Sequence, residues 1–354
     1  MSHSTFFKLI RQAIRHQSYI IDEDINWQTI YDEAACQGLS AVILDSIELL
    51  PVTKRPPQNM LLEWIGEVHQ AFDNAYVQYC KTIAEMAVFY KIHGYKMMVI
   101  KGYSCSLDWP KPEHRPCGDI DIWLFGKQEE ADAVLTKEKG IKIDKSHHHH
   151  TVFDWNEFMV ENHYDFINVH HRKSNAKLEK IFKELGKDDS HTVEINGEKV
   201  YLPSPNLHAL FLIRHMVSHF TSSEITLRQV LDWAFFVEKH EGEVDWDWLW
   251  SVVEKNHMKV FVNCINAICV EELGFPVSIF HGVQFIPELK DRVLGDIMNP
   301  AFGIKEPKYL IPRLIYKYYR WKGNAWKQEL CYEESRISAF WSGLWNHLLK
   351  PASI

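Results

Sequence analysis

The hydrophobic periodicity of the chain changes twice, and this change constrains the fold more than any other feature. From Met60 to His93, apolar residues recur at intervals of three and four, which is the spacing of an amphipathic helix. The interval shortens near residue 94 and returns to the helical spacing after residue 204, in the segments LHALFLIRHMVSHF and LRQVLDWAFFVEKH. This order predicts an α+β fold, in which a small mixed β-sheet core is flanked by N-terminal and C-terminal helical regions. We predict the three regions as 1–93, 94–203 and 204–354.

Several short segments of the central region carry strand signals. Apolar and β-branched residues predict strands over 95–100, 120–125 and 165–171. Asn196 and Gly197 stand between alternating residues in the stretch VEINGEKVYL, which predicts a β-hairpin over 193–202.

Composition restricts the classes of function. The formal net charge of −8 argues against a protein that coats nucleic acid. Seven cysteines are scattered without a CxxC pair, which is typical of reduced thiols and not of a disulfide framework. The sequence shows neither a signal peptide nor an apolar run of about 18 residues. We therefore expect a cytoplasmic protein with no membrane insertion.

Two aspartates interrupt an apolar strand in the stretch RPCGDIDIW. Because side chains alternate along a strand, Asp119 and Asp121 share one face, while the neighbouring isoleucines share the other. A carboxylate beside a core needs a partner, since an unpaired buried ion is strongly disfavoured. Two carboxylates on one face suit a hard cation bound through oxygen, most commonly Mg²⁺. We predict Asp119 and Asp121 as metal ligands, and a solvent-exposed strand edge is the alternative.

A glycine turn lies upstream of these aspartates. The stretch MMVIKGYS leads a predicted strand directly into Lys101, Gly102 and Ser104. Glycine at such a turn lets backbone N–H groups approach a phosphate, and the Arg115 guanidinium offers a charge-assisted fork. We predict these four residues as phosphate-binding. The alternatives are surface salt bridges for Lys101 and Arg115, and a simple turn at Gly102.

These motifs together carry a family resemblance. Lys101-Gly102, followed by Arg115 and by Gly118-Asp119-Ile120-Asp121, resembles the nucleotidyltransferase superfamily with the DNA polymerase β-like fold. The chain is most similar to a nucleotidyltransferase family known mainly from sequence, in which a KG turn, an R-x-x-x-D-h-D strand and an h-E-h-H strand precede a helical region. The resemblance implies a nucleotidyltransferase core over 94–203.

The resemblance also implies an activity. A nucleoside monophosphate would pass from an NTP to an acceptor, with pyrophosphate leaving, and Mg²⁺ (or Mn²⁺) would be the cofactor. Lys101, Gly102, Ser104 and Arg115 would then bind the nucleotide. The acceptor is left open among a small molecule, a protein and RNA.

One position departs from the family pattern. The resemblance places a third catalytic carboxylate two residues before a strand histidine, but the predicted third strand reads INVH at 167–170. Asn168 therefore takes the place of that carboxylate, and Asp165 is expected on the opposite face. An amide cannot accept a proton at neutral pH and adds no charge to hold a second ion. A catalytically degenerate protein, which binds a nucleotide or a partner without turnover, is thus the alternative function.

Histidines form two further patterns. His215 and His219 are one helical turn apart, and with His170 we expect them to line a cleft. A zinc site is the alternative, although HMVSH lacks the glutamate of a metallohydrolase motif. The run His147–His150 is predicted to form a solvated loop that binds metal adventitiously.

Overall fold

The computed structural model describes residues 3–16, 19–169, 172–302 and 307–334. The chain begins with a helical region, as the periodicity predicts. Asn26 caps the second helix, because its side chain accepts the backbone N–H of Thr29 at 3.1 Å. A π-helical turn over His69–Asn74 joins the fourth helix to the fifth. The helices of this region are α1 (Ser4–Arg15), α2 (Trp27–Gln37), α3 (Ser40–Glu48), α4 (Gln58–Val68) and α5 (Ala75–Ile92).

A mixed six-stranded sheet follows, with strand order β3-β4-β2-β1-β6-β5. The strands are β1 (Met98–Val99), β2 (Ile120–Trp123), β3 (His150–Trp155), β4 (Phe158–His163), β5 (Thr192–Ile195) and β6 (Glu198–Tyr201). β2 pairs with β4 and β1 pairs with β6 in parallel, while the other neighbours are antiparallel. The helices between the strands are α6 (Tyr103–Ser106), α7 (Gln128–Lys139) and α8 (Lys173–Leu185). The predicted α+β fold with a small mixed sheet is confirmed.

The structure corrects two of the strand predictions. The first predicted strand shortens to the two residues of β1. The strand over 165–171 is wrong for its described residues, because the N–H groups of Phe166 and Ile167 donate to the Glu179 carboxylate, both at 3.0 Å, and not to a strand. The predicted hairpin is confirmed as β5–β6, with Asn196 and Gly197 at φ 49° and 84° in its turn. The hairpin β3–β4 was not predicted.

Helices form the rest of the described chain. A capping box between Thr226 and Gln229 begins one of them, which explains why that helix starts just after Thr226. The helices are α9 (Pro205–Ser222), α10 (Leu227–His240), α11 (Trp246–Lys255), α12 (Lys259–Glu271), α13 (Pro287–Met298), α14 (Leu310–Gly323) and α15 (Ala325–Cys331). None of the described helices combines the length and the apolar character that crossing a bilayer requires.

The two faces of the sheet pack against different cores. Ile120 and Ile122 of β2 join Ile83 of α5 and Leu135 of α7 in one hydrophobic cluster. Trp123, on the other face, belongs to a second cluster that takes in both the N-terminal helices and the helices after the sheet. The face that carries Asp119 and Asp121 is therefore turned towards the second cluster. The division into three domains stays a prediction.

Candidate active site

Two carboxylates extend from β2 on the face predicted for them. Asp121 lies within the strand and its side chain is almost fully buried, whereas Asp119 lies just before the strand with 33% of its side chain exposed. The alternation of the strand, with apolar side chains at Ile120 and Ile122 on the opposite face, produces this arrangement.

A third carboxylate lies on the neighbouring strand. In the parallel register of β2 and β4, Asp121 pairs with Glu161, and Trp123 pairs with His163. Asp121, Glu161 and His163 each bring one ligand atom within 4.8 Å of the others. The His163 imidazole Nε2 lies 3.2 Å from Asp121 Oδ1 and 3.6 Å from Glu161 Oε2. The sheet thus brings an aspartate, a glutamate and a histidine to one place.

Sequence reasoning missed Glu161 and His163, although a signal was present. The stretch VENH at 160–163 carries a glutamate two residues before a histidine, which is the spacing expected of the third strand. The strand prediction was placed a few residues too late, on INVH. The structure puts the glutamate beside Asp121.

Asn168 lies outside the sheet, between β4 and α8. Its backbone carbonyl accepts the Asn175 side-chain amide at 2.6 Å. The interpretation that Asn168 replaces a catalytic carboxylate requires a strand at this position, and the described residues after His163 form none before α8. His170, which was expected to line a cleft, lies outside the described residues.

The Lys101 ammonium lies between the two aspartates. Its Nζ is 3.1 Å from Asp121 Oδ2 and 3.4 Å from Asp119 Oδ2. Burial lowers the pKa of Lys101, but the carboxylates of Asp121 and Asp119 outweigh burial and raise that pKa above its ordinary value. Lys101 therefore stays charged and compensates part of the negative charge of the site.

The remaining charges also compensate one another. Burial raises the pKa of Asp121, but Lys101 and His163 more than reverse this effect and lower it overall. Burial likewise raises the pKa of Glu161, and the hydrogen bond from His163 contributes to a net decrease. For His163, burial lowers the pKa, while Asp121 and Glu161 raise it to about 9. A divalent cation among these carboxylates would supply the same positive charge, so the donor set fits such an ion.

Gly102 permits a close approach between the turn and β2. It has φ 62°, and a Cβ added there would collide with the Tyr79 hydroxyl and lie 3.4 Å from the Asp119 carbonyl oxygen. The Tyr79 hydroxyl donates to that same carbonyl at 2.9 Å. Gly102 therefore helps to place Asp119, whether or not it also approaches a phosphate. Ser104 follows in α6, where its Oγ is buried and has no hydrogen-bond partner in the described part of the chain.

Arg115 makes a buried bidentate pair with Asp232 of α10. Its Nε lies 2.7 Å from Asp232 Oδ1 and its Nη2 lies 2.9 Å from Asp232 Oδ2. The Trp109 indole also donates to Asp232, at 2.9 Å. The edge of the guanidinium that could bind a phosphate through two hydrogen bonds is thus occupied by a protein carboxylate. We interpret Arg115 as a link between the β2 segment and α10, in place of the predicted phosphate contact.

The histidine pair of α9 lies close to the carboxylates. His215 lines a narrow cavity together with Lys101 and Arg228. The rings of His215 and His219 are 4.3 Å apart. Burial and the Lys101 charge lower the pKa of His215 well below its ordinary value, so this histidine is neutral at pH 7. Within the described ranges, neither histidine joins a group of three metal-ligating side chains.

Comparison with known proteins identifies the family of this chain. Residues 23–274 match the model of a family described as uncharacterised nucleotidyltransferase. A search of the curated proteins finds no match. Among the solved structures, the chain is similar to an antigenic nucleotidyltransferase-like protein from Paracoccidioides brasiliensis, with 14% sequence identity and a TM-score of 0.36 over 57% of this chain and 97% of that one. Because the family match covers more than half of the sequence, the chain belongs to this family of uncharacterised nucleotidyltransferases.

Proposed function

We propose that this protein is a metal-dependent nucleotidyltransferase, which transfers a nucleoside monophosphate from an NTP to an acceptor and releases pyrophosphate. The family supports a general nucleotidyltransferase role. The metal dependence, the NTP donor and the leaving pyrophosphate are the parts that we propose. The acceptor would be a small molecule, a protein or RNA. A cytoplasmic location belongs to the same proposal, and the free state of all seven cysteines supports it.

One observation carries the proposal, namely the β2–β4 register that pairs Asp121 with Glu161. Asp119 precedes Asp121 by two residues, so three carboxylates from two adjacent strands lie on one face of the sheet. Carboxylate oxygens are the ligands that Mg²⁺ and Mn²⁺ prefer. Asp119, Asp121 and Glu161 would hold these ions, which supply charge neutralisation of the triphosphate and activation of the attacking group when bound.

Other residues of the chain have supporting roles in this proposal. His163 holds Asp121 in place through the 3.2 Å contact between its Nε2 and Asp121 Oδ1. Lys101 is charged and only 15% exposed, and it is positioned to move from the aspartates towards a phosphate when a metal ion replaces it. The buried Ser104 hydroxyl and the turn at Gly102 lie next to Lys101 in sequence. Arg228, which lines the same cavity as Lys101, adds a second positive charge.

Pyrophosphate release from each NTP, measured with Mg²⁺ or Mn²⁺, tests this function. We expect the wild type to release pyrophosphate. In Glu161→Gln the rate of release should fall by a factor of at least about 100, because that change removes a charged metal ligand. Asp154→Asn is the matched control, since Asp154 is an exposed carboxylate further along β3, on the same face of the sheet as His150. Equal release from wild type and Glu161→Gln would contradict the proposal.

The degenerate alternative rested on Asn168 and loses its basis with the correction of that strand. It makes a separate experimental prediction, which is nucleotide binding without pyrophosphate release. Calorimetric titration with Mg²⁺ and a nonhydrolysable NTP, performed beside the release assay, distinguishes binding alone from binding with turnover.

A further inference from the structure

Histidines gather at one end of the sheet, beside the carboxylates. The loop predicted over His147–His150 ends at His149, because His150 is the first residue of β3 and is buried, while the three residues before it are half-buried. In the register of β3 and β4, His150 lies directly opposite His163. The backbone carbonyl of His149 accepts the N–H of Tyr164 at 3.0 Å, which fixes the start of β3 against the end of β4. The backbone thus holds these histidines together.

Three imidazoles of this group face one another. The ring centroids are 4.2 Å apart for His149 and His150, 5.2 Å for His150 and His163, and 5.6 Å for His149 and His163. One nitrogen of each ring lies within 4.8 Å of the other two. Nitrogens bound to one tetrahedral Zn²⁺ are about 3.4 Å apart, given Zn–N distances of about 2.0–2.1 Å. Binding of one ion would therefore draw the three nitrogens closer together by side-chain rotation.

A polar atom of this cluster also lacks a hydrogen bond. His150 Nδ1 is buried and makes no hydrogen bond to any residue that the structure describes. A buried nitrogen without a partner destabilises the fold, and a metal ion would satisfy it. Glu161 Oε2 lies 3.7 Å from this nitrogen, so a carboxylate is available as a fourth ligand. His163 Nε2 lies 3.2 Å from Asp121 Oδ1 and its Nδ1 lies 3.2 Å from the Asp165 carbonyl oxygen, so His163 would bind a metal ion by exchanging one of these two contacts for the ion.

We propose that His149, His150 and His163 bind a transition-metal ion, with Zn²⁺ preferred over Mg²⁺. Imidazole nitrogens suit Zn²⁺, whereas Mg²⁺ requires oxygen ligands in octahedral geometry. The site goes beyond the proposed function, because it needs neither an NTP nor turnover. It joins the start of β3 to the end of β4, next to Glu161.

Metal binding by the full-length apoprotein tests this site. Equilibrium dialysis against Zn²⁺ in a large excess of Mg²⁺ measures retention, and the visible spectrum of bound Co²⁺ reports imidazole coordination. We expect one tightly bound Zn²⁺ in the wild type. The double variant His149→Ala, His150→Ala should weaken Zn²⁺ binding by more than about 100-fold. Loss of a residue that only orients a metal ligand weakens binding by about 10- to 100-fold, so a larger effect indicates direct ligands. Because His150 is buried, the single variant His149→Gln, at a half-buried position, provides a second measurement if the double variant does not fold.

Two control variants separate this site from the others. His215→Ala with His219→Ala removes the α9 pair and should retain the ion. Asp119→Asn should stop nucleotidyl transfer and still retain Zn²⁺, so a failure of the proposed function can be distinguished from a failure of this site. Displacement of Zn²⁺ by Mg²⁺, full retention after loss of His149, or loss of the ion in the α9 variant would each overturn the proposal.

Discussion

Replacing Arg115 by alanine should destabilise the protein and leave nucleotide binding largely intact. The Arg115 guanidinium and the Asp232 carboxylate are both nearly inaccessible to solvent, and two hydrogen bonds of 2.7 and 2.9 Å join them. Truncating one partner of such a pair leaves the other charge buried and uncompensated. Broken buried pairs typically cost about 3–5 kcal/mol, so we expect Arg115→Ala to lose about that much free energy of unfolding.

Urea titration followed by tryptophan fluorescence measures this loss. The matched control is Lys91→Ala, which removes a surface ion pair with Glu198 at 3.0 Å and should change stability by no more than about 1 kcal/mol. Arg115→Met combined with Asp232→Leu should recover part of the loss, because apolar side chains can replace a buried ion pair, whereas the Trp109 indole N–H loses its acceptor. The pair's contribution would then be confirmed as structural.

If Arg115→Ala changed the free energy of unfolding by less than about 1 kcal/mol and weakened Mg²⁺–NTP binding by tenfold or more, Arg115 would be a phosphate ligand. Calorimetric titration of the same variant with a nonhydrolysable NTP supplies the second half of the comparison.

Three further changes follow from the structure. Gly102→Ala should destabilise the protein by about 1–3 kcal/mol, because φ is positive and the new Cβ would meet the buried Tyr79 hydroxyl. Gly118→Ala, with open space around the new Cβ, is the control. Equal losses of stability in the two variants, measured by thermal unfolding, would contradict this prediction. Burial lowers the pKa of His208 to about 4, so the unfolded state binds more protons than the folded state between pH 6.5 and 4. The free energy of unfolding should therefore decrease as the pH falls through this range, by at most about 3 kcal/mol from this residue. Urea titrations across the range should show a smaller decrease in His208→Gln. Asn168→Asp should not increase pyrophosphate release, because Asn168 lies outside the sheet; a clear increase would restore its catalytic role.

The short-range patterns of the sequence predicted the fold class and two of the three carboxylates that make up the candidate site. The period change located the sheet region, and the Asn196-Gly197 turn located one hairpin, because both signals are local. The alternation of β2 placed Asp119 and Asp121 on one face without any knowledge of neighbouring strands. These features depend only on residues that are adjacent along the chain.

The missing parts depend on contacts between distant segments. Phe166 and Ile167 look like strand residues, but their N–H groups bind the Glu179 carboxylate, and no local pattern reveals this partner. The role of Arg115 likewise depends on Asp232, more than a hundred residues later in the chain. The pairing of Asp121 with Glu161 required the strand order, which the sequence alone did not provide.

We propose that Glu161, together with Asp119 and Asp121, forms the metal site of a nucleotidyltransferase. A crystal soaked with Mn²⁺ and a nonhydrolysable NTP tests it most directly, through the anomalous scattering of the metal. We expect an anomalous peak within coordination distance of the Asp121 and Glu161 carboxylates, with the triphosphate beside Lys101, and loss of that peak in Glu161→Gln. A peak away from both carboxylates, or one unchanged in Glu161→Gln, would contradict it.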